Sequence, residues 1–70
     1  MENDRLCNSI KLHRTRAGLT QGQLADMVDV TRKTVNSVEN GVFVPSAVLA
    51  LKLARALQTP LETLFFLPDE

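Results

Sequence analysis

Two N-cap signals in close succession, Thr20 and Thr31, confine the middle of this chain to a pair of short helices joined by a tight turn. Thr20 is followed by Gln23, so hydroxyl and side-chain amide can satisfy each other's orphan backbone N–H groups in a capping box. Leu24, Ala25 and Val28 then fall on one helical face. Thr31 opens a second segment in which Val35 and Val38 continue the apolar stripe, and Asn40-Gly41 supplies its stop. The stretch reads as helix, turn, helix.

With the stripe taken by Val35 and Val38, the second helix turns Arg32, Lys33, Asn36 and Ser37 the other way. All four carry hydrogen-bond donors. A helix lying in the DNA major groove reads base edges with such side chains in its N-terminal half, while the preceding helix crosses the phosphate backbone. Arg32 and Lys33 can donate to guanine O6 and N7, and Asn36 can pair with adenine. Ser37 is shorter and joins this face through water or phosphate, and Thr31 belongs to the backbone contacts. Arg16, at the end of the preceding helix, is a further backbone candidate.

The flanks look like packing for this unit. Asn8 is an N-cap for a first helix of about Ser9 to Ala17, with Ile10, His13, Arg14 and Ala17 on one face and Gly18 as its stop. Arg5-Leu6-Cys7 reads as an extended arm, and its pairing with Phe66-Leu67 into a short terminal β-arm is the one strand signal in the chain. Ser46 caps a fourth helix to about Gln58, whose Ala47, Ala50, Leu51, Leu53, Ala54 and Leu57 are expected to form most of the core wall. Phe43, in the loop before it, is expected to plug the core. Thr59, with Pro60 at the first helical position and Glu62 beyond, gives a second capping box and a fifth helix to about Phe65. The expectation is an all-α, five-helix bundle, one domain over residues 1–70, frayed at 1–4 and 68–70.

Seventy residues bury only a modest fraction of their surface, so a partner subunit would add stability. Phe66 and Leu67 continue the apolar run past the last helix, which places a dimer interface there, with Leu61 or Leu64 and the arm residue Leu6. Lone Cys7 excludes an internal disulfide and lacks partners for a metal site, which points to a cytoplasmic, metal-free and cofactor-free protein. No apolar run approaches a membrane span or a signal sequence. Formal net charge is zero, which argues against indiscriminate nucleic-acid binding. The charges are unevenly spread, however, with an excess of two positive up to Lys33 and of two negative beyond it.

The spacing of Arg14, Gly18-Leu19-Thr20-Gln21, Leu24-Ala25, Val30-Thr31, Thr34-Val35, Val38-Glu39-Asn40-Gly41, Pro45-Ser46 and Leu51-Lys52-Leu53-Ala54 with Ala56-Leu57 resembles the Cro and phage-repressor type of helix-turn-helix domain, the broad XRE-like family. The ending Thr59 to Phe65 is similar to that of small stand-alone regulators. The resemblance implies a lambda-repressor-like bundle and dimeric binding to an inverted repeat. It also implies that Gln21 and Asn40 anchor phosphates and that Arg14 pairs with Glu39. Four positions depart from the family pattern: His13 for an aliphatic residue, Gly22 for an acidic one, Asp29 for the turn glycine, and an apolar Val42-Phe43-Val44 where a basic residue is common.

No nucleophile, base and orienting group converge in the sequence, and no phosphate loop is present, so an enzyme is the poorest reading. The two serious readings are a sequence-specific DNA-binding regulator, expected to be a repressor, and a helical adaptor or antitoxin-like partner that keeps the fold without binding DNA. An adaptor would have lost the donors of the second helix, and this chain keeps them. The operator sequence and any protein or small-molecule inducer are not written in the chain.

Overall fold

The computed structural model describes residues 5–68. Along the chain run β1 (Cys7–Asn8), α1 (Ile10–Arg16), α2 (Gln21–Met27), α3 (Arg32–Glu39), α4 (Ala47–Ala56), α5 (Leu61–Leu64) and β2 (Phe65–Phe66). The expected fraying of residues 1–4 and 69–70 lies outside the described residues, whereas Pro68 is half-buried.

Local chemistry sets most of the boundaries. Thr20 Oγ1 accepts from the Gln23 backbone at 3.0 Å and Gln23 Oε1 accepts from the Thr20 backbone at 2.8 Å, completing the capping box. Thr31 and Ser46 cap α3 and α4 through single hydroxyl acceptors. Asp29 takes the turn between α2 and α3 at φ 63°, and Gln58 ends α4 at φ 51°. Both occupy the left-handed region that costs an L-residue about 1–2 kcal/mol, a conformation that Asp visits more readily than most residues.

The fifth helix starts differently from expectation. Pro60 is its N-cap rather than its first residue, no side chain caps it, and Thr59 Oγ1 instead donates to the Leu57 carbonyl at 2.9 Å. The helix stops at Leu64 because Phe65 swings to an extended backbone and enters β2. There Phe65 and Phe66 pair antiparallel with Asn8 and Cys7, so the terminal β-arm forms, shifted along the chain from the pairing the sequence suggested.

Ile10, Leu24, Val28, Val35, Leu53 and Leu64 are the largest fully buried side chains, joined by Ala25, Val38, Ala54, Leu57 and Phe65. Helix α4 contributes Leu53, Ala54 and Leu57 as expected, but Leu51 is 56% exposed and Ala47 also faces out. Leu51 sits one residue past Ala50, and one helical step rotates it off the stripe. Ala17 is likewise exposed at the end of α1. Phe43 does not plug the core: it is 46% exposed.

Candidate nucleic-acid interface

Helices α2 and α3 form the most extensively packed helix pair in the fold, with Leu24, Ala25 and Val28 of one set against Val35 and Val38 of the other. Burying one stripe of α3 leaves Arg32 and Lys33 exposed at its N-terminal end, and among the described residues neither side chain is held in an ion pair. Thr31, also exposed, spends its hydroxyl on the Thr34 backbone N–H at 3.2 Å and on the Thr34 hydroxyl at 3.1 Å. Ser37 is half-buried, and Arg16 is exposed at the far end of α1.

The opposite end of α3 is fixed by a polar network. Arg14 Nε donates to Glu39 Oε2 at 2.6 Å, Nη2 reaches Oε1 at 3.4 Å, and Nη1 donates to the Leu19 carbonyl at 2.9 Å. The two side chains are only 10% and 4% exposed, so this is a shielded ion pair that bolts α1 to the end of α3. Gln21 Nε2 donates to Glu39 Oε1 at 3.0 Å and to Asn36 Oδ1 at 3.2 Å, and Asn40 Nδ2 donates to the same Asn36 oxygen at 3.1 Å.

That network changes what three of the expected contact residues can offer. Both acceptor sites of Asn36 Oδ1 are taken, leaving only its amide donors, so bidentate pairing with adenine would require Gln21 or Asn40 to let go. Both Nε2 hydrogens of Gln21 are likewise engaged within the protein, so a donation to phosphate would require one of these bonds to let go. Asn40 keeps one amide hydrogen for a phosphate.

A second tie escaped the sequence. The N-cap of α1 is Ser9, not the expected Asn8, and no side chain caps it. Asn8, one residue earlier, accepts from the Ile10 backbone through Oδ1 at 3.1 Å while its Nδ2 donates to the Val38 carbonyl at 2.9 Å, so one amide ties the start of α1 to α3. Ser9 donates its backbone N–H to the Leu64 carbonyl and its hydroxyl to the Thr63 carbonyl. His13 Nδ1 lies 2.9 Å from the Ser9 carbonyl, which can only accept, so Nδ1 carries the proton. The departure at His13 is thus absorbed by a side-chain bond back to the Ser9 carbonyl, which also accepts from the His13 backbone N–H.

Of the residues expected to meet a second copy, Leu61 is 37%, Phe66 43% and Leu67 62% exposed, and Leu6 is half-buried against the core. Leu64 is wholly buried, which removes it from that surface: it faces inward from α5 as part of the core. No helix among the described residues is long and apolar enough to cross a membrane.

A helix-turn-helix family model matches residues 10–64. The chain is 43% identical over 63 residues to the HTH-type transcriptional regulator YgzD of Bacillus subtilis, covering 90% of this chain and 96% of that one. It is 44% identical over 62 residues to an HTH-type transcriptional regulator of Methanothermobacter thermautotrophicus, covering 87% and 90%. Among solved structures it is similar to the restriction-modification controller protein C.AhdI of Aeromonas hydrophila, with a TM-score of 0.72 and 37% identity over 77% of this chain and 78% of that one. It is also similar to the P22 c2 repressor in complex with a synthetic operator, with a TM-score of 0.73 and 26% identity over 76% and 80%.

Proposed function

The chain belongs to the helix-turn-helix family of the Cro and phage-repressor type and is a DNA-binding transcriptional regulator, and from that premise we propose that it is a repressor reading an inverted-repeat operator as a homodimer. Residues 1–70 act as one DNA-binding unit in the cytoplasm. The observation that carries the reading is the division of α3. Val35 and Val38 are locked into the core and Glu39 into the Arg14 pair, while Arg32 and Lys33 project from the other side with no ion pair among the described residues.

In this reading α3 enters the major groove. Arg32 and Lys33 donate to guanine edges, and Ser37 and the Asn36 amide reach base or water. Thr31, Asn40 and Arg16 meet the backbone, and Gln21 sets the pose of α3. A two-fold arrangement through Leu61, Phe66, Leu67 and Leu6 would set two recognition helices about 34 Å apart, one turn of DNA. A chain of zero net charge gains little from nonspecific phosphate attraction, so pairing of half-sites supplies the affinity.

Selection from random duplexes with the purified protein tests this. An enriched inverted repeat with half-sites about one helical turn apart is expected. Arg32→Ala or Lys33→Ala should lose about 1–3 kcal/mol on that site and flatten base preference. Replacing Phe66 and Leu67 by polar residues should give folded monomer by light scattering at micromolar concentration. No enriched sequence, or an unchanged preference in both the Arg32 and Lys33 variants, would reject the assignment of α3.

A further inference from the structure

Directly after α3 the chain reverses at Gly41, φ 74°, and the backbone N–H groups of Val42 and Phe43 both donate to the Ser37 carbonyl, at 2.9 and 3.2 Å. The loop is thereby laid back along the helix. Its side chains close an open depression of about 340 Å³ lined by Thr31, Lys33, Thr34, Ser37, Val42 and Phe43. Val42 is 80% exposed and Phe43 46%, so two apolar side chains stand uncovered beside the donors of α3.

We propose that this depression receives the C5-methyl group of a thymine in the major groove, with Phe43 as a specificity-determining residue. The inference rests on the DNA-binding reading above. Three features lead to it. Lys33 and Ser37 belong to the depression and to the outward side of α3 alike, so a base edge met by one is met by the other. The thymine methyl is the apolar group that a base presents in that groove, and threonine methyls and phenylalanine are suited to it. The Lys33 ammonium on the rim would donate to a guanine beside such a thymine, so the polar and the apolar half of one base step are read together.

The test replaces each thymine of the selected operator, one at a time, by deoxyuridine, which removes only the methyl group. Binding is measured with wild type, Phe43→Ala and Phe43→Leu. Wild type should lose about fourfold in affinity at one position of each half-site, the worth of one buried methyl. Phe43→Ala should bind the parent and deoxyuridine duplexes equally, and Phe43→Leu should keep part of the difference. Because Phe43 lies outside the core, thermal melting of both variants should follow wild type. Deoxyuridine duplexes that all bind like their parents, or a loss undiminished in Phe43→Ala, would overturn the methyl site while leaving DNA binding intact; the depression would then be free for a protein contact. A wild type that enriches no duplex overturns both.

Discussion

The side-chain amide of Asn8 and the backbone carbonyl of Val38 meet at 2.9 Å, joining the extended arm to the last turn of the recognition helix. Carbonyls in the last turn of a helix lack the usual partner four residues on, and this one accepts both from the Gly41 backbone N–H, at 3.1 Å, and from a strand distant in sequence. Asn8→Ala removes this bond and the acceptor of the Ile10 N–H together and should destabilise the fold by about 1–3 kcal/mol, read from urea unfolding. Asn8→Asp keeps the acceptor for the Ile10 N–H but sets a carboxylate oxygen against the Val38 carbonyl, two acceptors with no hydrogen between them, so its loss should be at least as large as that of alanine.

The Arg14–Glu39 pair is shielded enough that removing one partner strands a charge. Arg14→Ala should cost about 3–5 kcal/mol, where an exposed pair would cost at most about 1 kcal/mol. A double-mutant cycle with Glu39→Gln should report coupling well above about 0.5 kcal/mol.

Gly22 lies inside α2, and a Cβ there would meet only Thr20 Oγ1, at 3.9 Å, an ordinary contact. Gly22→Ala should therefore raise stability by about 0.4–1 kcal/mol through the unfolded chain. If α2 crosses phosphate closely at this point, the same variant binds operator more weakly while melting at a higher temperature, and comparing the two measurements separates the effects.

Left-handed backbone at Gln58 and Asp29 makes a paired prediction. Glycine at either position removes the Cβ strain at the expense of unfolded-chain freedom, so Gln58→Gly should gain about 0.5–1 kcal/mol by thermal denaturation. Asp29→Gly should gain less, because aspartate tolerates this conformation.

What the sequence made legible was chemistry between near neighbours. The caps at Thr20, Thr31 and Ser46, the strained turn at Asp29 and the stripe from Leu24 to Val38 are each decided within a few residues. Side chains at the margin of a stripe were harder, because Leu51 and Ala47 differ from core positions by one helical step and by what lies across from them. The start of α5 departs from the capping box its residues suggest because Thr59 finds its partner backwards, in Leu57, rather than forwards in the helix. Phe43 looked like a core residue on hydrophobicity alone, and the Ser37 carbonyl, by holding its backbone N–H, decides otherwise. The polar network was half legible: the family resemblance carried Arg14 and Glu39, but not Gln21, Asn36 and Asn40 closing on one another.

The small β1–β2 pairing joins the two ends of the described chain. Its closure encloses nearly every other residue, so it pays the largest loop entropy of any contact in the fold and forms last, after the helices have brought its strands near. By the same token it opens first. Since Asn8 lies within it, each opening also takes the Asn8 amide from the Val38 carbonyl, which is left with the Gly41 N–H alone. Amide exchange should thus be fastest across the pairing, and the last turn of α3 should exchange in step with it, whereas the Thr31 end of α3 keeps its protection. The recognition helix would be anchored more firmly where it begins than where it ends.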